Sequence, residues 1–76
     1  MTDINVFLDA MGLECPLPLL KAKQALNRMA SGEVLEVLAT DAGSVRDFEV
    51  FAKQSGNTLL LSEDNDGTYR YLFEKK

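Results

Sequence analysis

Cys15 is the residue of this sequence best suited to chemistry, and it lies in the run Gly12-Leu13-Glu14-Cys15-Pro16-Leu17-Pro18. Pro16 fits the first position of a helix, which needs no N–H donor, and Pro18 is tolerated within the first turn. Cys15 is then expected at the N-cap, where the positive end of the helix dipole stabilises a thiolate and lowers its pKa. The run therefore predicts an activated nucleophile, with Gly12 permitting a close approach of the loop.

A lone cysteine also has a less active interpretation, as a small apolar residue buried in the core. A cysteine ahead of Pro-x-Pro at a helix entrance is hard to bury, however, because that turn lies on the surface. The position favours an accessible, functional Cys15 over a buried one.

The rest of the composition limits what this thiol can do. The chain contains no histidine and a single cysteine. It therefore has no Cys-His pair for hydrolysis, no second thiol for a dithiol cycle and no Cys-rich zinc site. Two chemistries stay open: carrying a group such as persulfide sulfur, or sensing oxidants through a sulfenic acid. Neither needs a cofactor, and none is expected.

The elements that must position Cys15 follow from hydrophobic periodicity. Apolar residues alternate in four short segments and recur at helical spacing in two others. We predict a two-layer α/β (α+β) sandwich in the order β-α-β-α-β-β, with both helices on one face of a four-stranded mixed sheet. The spatial order of the strands does not follow from the sequence. The predicted strands cover residues 5–10, 34–40, 58–62 and 68–75. The first helix is predicted over residues 16–30, and the second starts within residues 41–44 and ends at Gly56.

Local signals predict where the helices begin and end. Gly32 is expected to end the first helix and Gly56 the second, since glycine adopts positive φ without strain. Asp41 and Ser44 are good N-cap residues for the second helix, and Ser44 with Asp47 fits a weak capping box. Asp41 could instead help to position that helix beside the reactive edge.

The net charge and its distribution indicate which kinds of partner the chain can bind. The chain carries 8 Lys+Arg and 12 Asp+Glu, a formal charge of -4, which argues against a broad nucleic-acid footprint. Lys21, Lys23 and Arg28 form a basic cluster on the first helix. Such a cluster is either a solvated helix surface or a docking site for an acidic region of a partner protein.

The aromatic residues of the last strand, Tyr69, Tyr71 and Phe73, allow two interpretations. They alternate along the strand, so they either pack against the core or offer a stacking surface for a nucleic-acid base. Core packing is the more frequent arrangement at this spacing, so no direct contact with nucleic acid is expected.

Length and polarity set the remaining expectations. The 76 residues allow one domain, over residues 1–76, with a small core. No signal peptide or membrane helix fits the N-terminal segment, so a cytoplasmic protein is expected. A relay protein that makes transient contacts is expected to be a monomer.

A set of short motifs is spread over the chain: Leu8-Asp9, Gly12, Cys15-Pro16-Leu17-Pro18, Gly32-Glu33, Thr40-Asp41, Gly43-Ser44, Arg46-Asp47 and Tyr69-Arg70-Tyr71-Leu72. In these residues the sequence resembles the TusA/SirA/YedF-like family of small sulfur carriers. The resemblance implies a two-layer sandwich in which Cys15 accepts persulfide sulfur from a cysteine desulfurase and relays it to an acceptor protein. It also implies end uses such as tRNA thiolation, molybdenum-cofactor assembly or dissimilatory sulfur oxidation.

The sequence departs from the common family pattern around the second helix. Asp41-Ala42 stands where many members have Asp-Pro, and Phe48-Glu49 where many have Ile-Pro. Ala52 replaces a frequent cysteine, which leaves Cys15 as the one sulfur site of the chain. The alternative function is a regulatory interaction module that is switched by oxidation of Cys15.

Overall fold

Six segments of regular structure follow one another in the predicted order. The structure, a computed structural model, describes residues 3–76 of the chain. The first strand begins one residue later than expected, and the first helix is shorter at both ends. The elements are β1 (Val6–Ala10), α1 (Leu17–Asn27), β2 (Val34–Ala39), α2 (Ser44–Ser55), β3 (Thr58–Asn65) and β4 (Thr68–Glu74).

The strands form one mixed sheet in the order β1-β2-β4-β3. β1 pairs with β2 in parallel, with Ala10 opposite Ala39, whereas β4 pairs antiparallel with both β2 and β3. The predicted four-stranded mixed sheet is therefore confirmed. Because β1 and β2 are parallel neighbours, their carboxyl ends meet at one edge, and the loops that enter both helices begin there.

The core lies between the two helices and one face of the sheet. Phe48 of α2 makes edge-to-face contacts with Tyr71 and Phe73 of β4, at centroid distances of 4.4 and 5.5 Å. Ala22 and Leu26 bring α1 into the same cluster. Tyr71 and Phe73 are fully buried, so they pack against the core and offer no stacking surface.

Of the two predicted helix-ending glycines, one is confirmed and one is wrong. Gly56 ends α2 with a φ of 82°, and its N–H donates to the carbonyl of Ala52. α1 already ends at Asn27, ahead of Gly32. Gly32 has a φ of 86° and its N–H donates to the carbonyl of Lys75 at 2.8 Å, so it shapes the turn into β2 instead.

The start of α2 also differs from the prediction. Gly43 is the N-cap, and no side chain caps the helix, so the capping box of Ser44 and Asp47 is not formed. Ser44 is buried, and its hydroxyl shares a hydrogen bond of 2.7 Å with the hydroxyl of Tyr71. A buried phenol needs a polar partner, and that requirement takes precedence over capping. Burial also raises the pKa of Tyr71.

The hairpin between β3 and β4 turns at Asp66-Gly67, an Asp-Gly pair of the kind that favours a tight two-residue turn. Asp66 and Gly67 both have positive φ, 53° and 89°, as a type I′ turn requires. β3 runs to Asn65, three residues beyond the predicted end at Ser62. The tight turn allows pairing to continue almost to its tip, with Asn65 opposite Thr68.

Candidate functional site

Two loops meet at the carboxyl ends of β1 and β2. In the first, Gly12 has a φ of 80°, and its N–H donates to the hydroxyl of Thr40 in the second loop at 2.9 Å. A Cβ at Gly12 would meet no atom within 4 Å. Glycine is therefore needed here for its backbone conformation, and the predicted close approach is not the reason.

The two prolines mark the start of α1 one residue later than predicted. Pro16 is the N-cap, Leu17 is the first helical residue, and Pro18 is buried in the first turn. Cys15 accordingly precedes the N-cap, and its peptide bond to Pro16 is cis. The N–H of Leu17 donates to the carbonyl of Glu14 at 2.8 Å, so Cys15 lies within a turn that leads into the helix.

Cys15 is exposed, as predicted, and it contacts the second helix. Its thiol donates a hydrogen bond to Oδ2 of Asp47, with Sγ and Oδ2 2.6 Å apart. The backbone of α2 also approaches it, because a Cβ at Gly43 would lie 3.8 Å from the Cβ of Cys15. The thiol is thus held between the entrance of α1 and the first turn of α2.

This contact shifts the pKa of the thiol in the direction opposite to the one predicted. The hydrogen bond to Asp47 raises the pKa of Cys15, and desolvation and the negative charges of Asp47 and Asp41 raise it further. The prediction of a lowered pKa is therefore wrong for this resting geometry. The helix terminus supplies about half a positive charge, whereas Asp47 presents a full carboxylate at hydrogen-bond distance.

Asp41 is a second carboxylate beside the thiol. Within residues 3–76, its Oδ2 is a buried side-chain oxygen without a hydrogen-bond partner. This oxygen lies 3.0 Å from where a Cβ of Gly43 would be placed. The backbone carbonyl of Asp41, not its side chain, accepts a bond from the N–H of Ser44. Its predicted capping role is therefore wrong, and its carboxylate adds negative charge near Cys15.

Lys21 and Lys23 of α1 and Arg28, its C-cap residue, are exposed, but the three do not form one cluster. The ammonium group of Lys23 lies 5.6 Å from the ring centroid of Phe51, on the side of α1 that faces α2. Lys21 and Arg28 are seven residues apart, which places them together on another face. Their role in docking stays a prediction.

Cys15 lies outside the groove between the two helices. That groove has a volume of about 340 Å³, and Lys23, Phe51, Asn57 and Lys76 are among its lining residues. Among the described residues, no three His, Cys, Asp or Glu side chains are grouped so as to hold a metal ion. Within residues 3–76, neither helix has the length and apolar character that a membrane crossing requires.

Residue-by-residue reasoning from the sequence identified Cys15 and its prolines but missed the role of three neighbours. Asp47, Gly43 and Thr40 contact Cys15 or its loop only because β1 and β2 lie side by side. The available signal was the family resemblance, which included the pairs that contain these residues. It singled them out without assigning them a function.

The chain is similar to known proteins both in sequence and in fold. Residues 6–75 match the family described as Sulfurtransferase TusA. The sulfur carrier protein TusA of Allochromatium vinosum is 55% identical over 75 residues, covering 99% of each chain. A relative from Neisseria meningitidis, named as a candidate sulfur carrier, is 49% identical over 69 residues, which are 91% of this chain and 93% of its own. The crystal structure of a SirA-like protein from Desulfitobacterium hafniense superposes with a TM-score of 0.80 at 27% identity, covering 92% of this chain and 96% of its own.

Proposed function

This chain belongs to the Sulfurtransferase TusA family, and we propose that its sulfur-carrying atom is Sγ of Cys15. The chain is a sulfur carrier, a role that its curated relatives support and that implies both a sulfur donor and a sulfur acceptor. The observation that carries the assignment is exposure. Cys15 is the one cysteine of the chain, and its thiol is open to solvent at the edge where two helices begin.

The transfer is an exchange of sulfane sulfur without net oxidation. The thiol of Cys15 reacts with the outer sulfur of a donor persulfide, R–S–SH. The S–S bond of the donor breaks and a new S–S bond forms at Sγ. The products are Cys15–S–SH and R–SH, so the proton lost by Cys15 ends on the donor thiol. Handing the sulfur to an acceptor repeats the exchange in the opposite direction.

An exposed thiol suits this reaction because sulfur passes between two proteins, and their reacting sulfur atoms must come into contact. We propose a cysteine desulfurase as donor and a second sulfur-handling protein as acceptor. The sulfur would then reach tRNA thiolation, molybdenum-cofactor assembly or a related route in the cytoplasm. Lys21, Lys23 and Arg28 are exposed cations on an acidic protein, and we propose them as docking residues for an acidic partner surface.

Intact mass spectrometry tests the proposal directly. The reduced protein and its Cys15→Ser variant are incubated with a cysteine desulfurase, pyridoxal phosphate and cysteine. The wild type should gain the mass of one sulfur atom, reversibly with a reductant, and the variant should gain none. No gain on the wild type, while Cys15 still reacts with an alkylating agent, would overturn the proposal and favour a module switched by oxidation.

A further inference from the structure

In the sulfur-free protein, Cys15 and Asp47 are joined by a hydrogen bond that requires the proton of the thiol. The S–H group donates to Oδ2 of Asp47 across 2.6 Å. A carboxylate accepts hydrogen bonds and donates none, so this bond exists only while the sulfur is protonated. Asp47 lies in the first turn of α2, where the helix dipole stabilises negative charge. The pair therefore stabilises the neutral thiol specifically.

Loading sulfur on Cys15 removes the donor of this bond. In the persulfide, Sγ is bonded to carbon and to the added sulfur, so it has no hydrogen to share with Asp47. A persulfide is also a stronger acid than its parent thiol, and its outer sulfur therefore bears negative charge near neutral pH. A carboxylate that stabilised the empty form then repels the loaded form.

The other charged groups near Cys15 act mostly in the same direction. Asp41, from the loop that precedes α2, adds a second negative charge beside the thiol. On α1, the first turn carries no acidic residue, and its helix dipole acts in the direction opposite to these two carboxylates.

We infer that Asp47 is a positioning residue that favours the empty carrier over the persulfide-loaded one and so makes Cys15 a ready sulfur donor. This role assumes that Cys15 holds the persulfide, as proposed. Asp47 thereby shifts the equilibrium between the loaded and the empty carrier, in addition to any effect that it has on the exposure of the thiol. Hydrogen bonds to a charged group and repulsion between like charges have the size needed to shift such an equilibrium severalfold.

The experiment measures that equilibrium with a small-molecule couple. Wild-type protein is equilibrated without oxygen in mixtures of glutathione and glutathione persulfide, then trapped with an alkylating agent and weighed by mass spectrometry. Asp47→Asn keeps the size of the side chain but removes its charge. Glu74→Gln is the matched control, since it makes the same change in net charge at an exposed site at the opposite end of β2.

At pH 7 the ratio of loaded to empty protein should rise ~3- to 10-fold in Asp47→Asn at a fixed glutathione ratio. It should stay unchanged in Glu74→Gln. Asp47→Ala should shift the ratio in the same direction, which keeps the test valid if one variant folds poorly. The difference from wild type should shrink as salt is added, because screening weakens the repulsion between the carboxylate and the charged persulfide. A purely structural role would not produce this salt dependence.

Two negative outcomes are distinguishable. If wild-type protein takes up sulfur but Asp47→Asn gives the same or a lower ratio of loaded to empty protein, the assignment of Asp47 is wrong while Cys15 stays the sulfur site. If wild-type protein takes up no sulfur on Cys15 from either glutathione persulfide or a desulfurase, the proposed function fails and the role of Asp47 fails with it.

Discussion

The N–H of Gly12 donates a hydrogen bond to the hydroxyl of Thr40, and this 2.9 Å contact joins two loops that are 28 residues apart in the chain. Gly12 belongs to the loop that carries Cys15, and Thr40 directly precedes Asp41 in the loop that leads into α2. The bond therefore fixes the thiol-bearing loop relative to the two carboxylates beside it.

Replacing Thr40 by valine removes the acceptor of this bond but keeps the shape of the side chain. We expect a loss of about 0.5–1.5 kcal/mol in the free energy of unfolding, the usual net contribution of one hydrogen bond. Urea denaturation measures this loss. Thr58→Val, at an exposed position of β3, is the control and should cost less. Equal stabilities for the two variants would contradict the role of the Gly12–Thr40 bond.

Gly12→Ala tests the backbone conformation of the same loop. A φ of 80° is strained for any residue with a Cβ, although no atom would crowd the new methyl group. We expect a loss of about 1–2 kcal/mol in the free energy of unfolding. Because the loop carries Cys15, persulfide loading should also slow. A variant as stable as wild type would show that the loop relaxes to a negative φ.

The buried pair of Ser44 and Tyr71 should be coupled energetically. Tyr71→Phe leaves the Ser44 hydroxyl without its buried partner, and we expect a loss of about 1–3 kcal/mol. Ser44→Ala should cost a similar amount. The double variant should cost clearly less than the sum of the two single changes, which a double-mutant cycle measures by denaturation. Additive losses would indicate that the hydroxyls do not depend on each other.

The pH dependence of Cys15 alkylation follows from its raised pKa. The hydrogen bond to Asp47 keeps the thiol protonated at pH values where a free cysteine already forms thiolate. The folded protein should therefore react with iodoacetamide more slowly at pH 8 than the urea-unfolded chain, although Cys15 is exposed. The two rates should converge as the pH rises through the folded pKa. Asp47→Asn should accelerate the alkylation of the folded protein at pH 8. Faster alkylation of the folded wild type than of the urea-unfolded chain would contradict the raised pKa of Cys15.

Docking through the basic residues of α1 predicts a change in association rate. Lys21→Glu combined with Arg28→Glu reverses two exposed charges on one face of the helix. Association with a cysteine desulfurase should slow by ~10-fold or more at low salt, and the difference should diminish as salt is added. Stopped-flow binding or surface plasmon resonance measures this rate. Lys53→Glu combined with Lys76→Glu makes the same change in net charge at exposed positions away from α1 and is the control. An equal effect in this control would show that net charge alone matters.

The order of elements and the core-facing residues could be predicted because they depend on local periodicity. The buried stripe of α1 and the alternation of Tyr71 and Phe73 follow from 3.6- and 2-residue repeats. The Asp66-Gly67 turn followed from the φ values that these two residues tolerate. Helix ends were less predictable, because they depend on contacts with residues far away in the chain. The N–H of Gly32 donates to the carbonyl of Lys75, and the hydroxyl of Ser44 shares a hydrogen bond with that of Tyr71.

Composition alone identifies the atom that can react. A chain with one cysteine and no histidine offers a single nucleophilic sulfur, and the prolines after Cys15 place it at an exposed helix entrance. The direction in which the pKa of that thiol shifts depends on contacts made in the folded chain. Asp47 is 32 residues away in the chain, and the parallel pairing of β1 with β2 brings its carboxylate to the thiol. Electrostatic interactions depend on distance in space, so a direct carboxylate contact outweighs the local helix dipole and raises the pKa that local reasoning had predicted to fall.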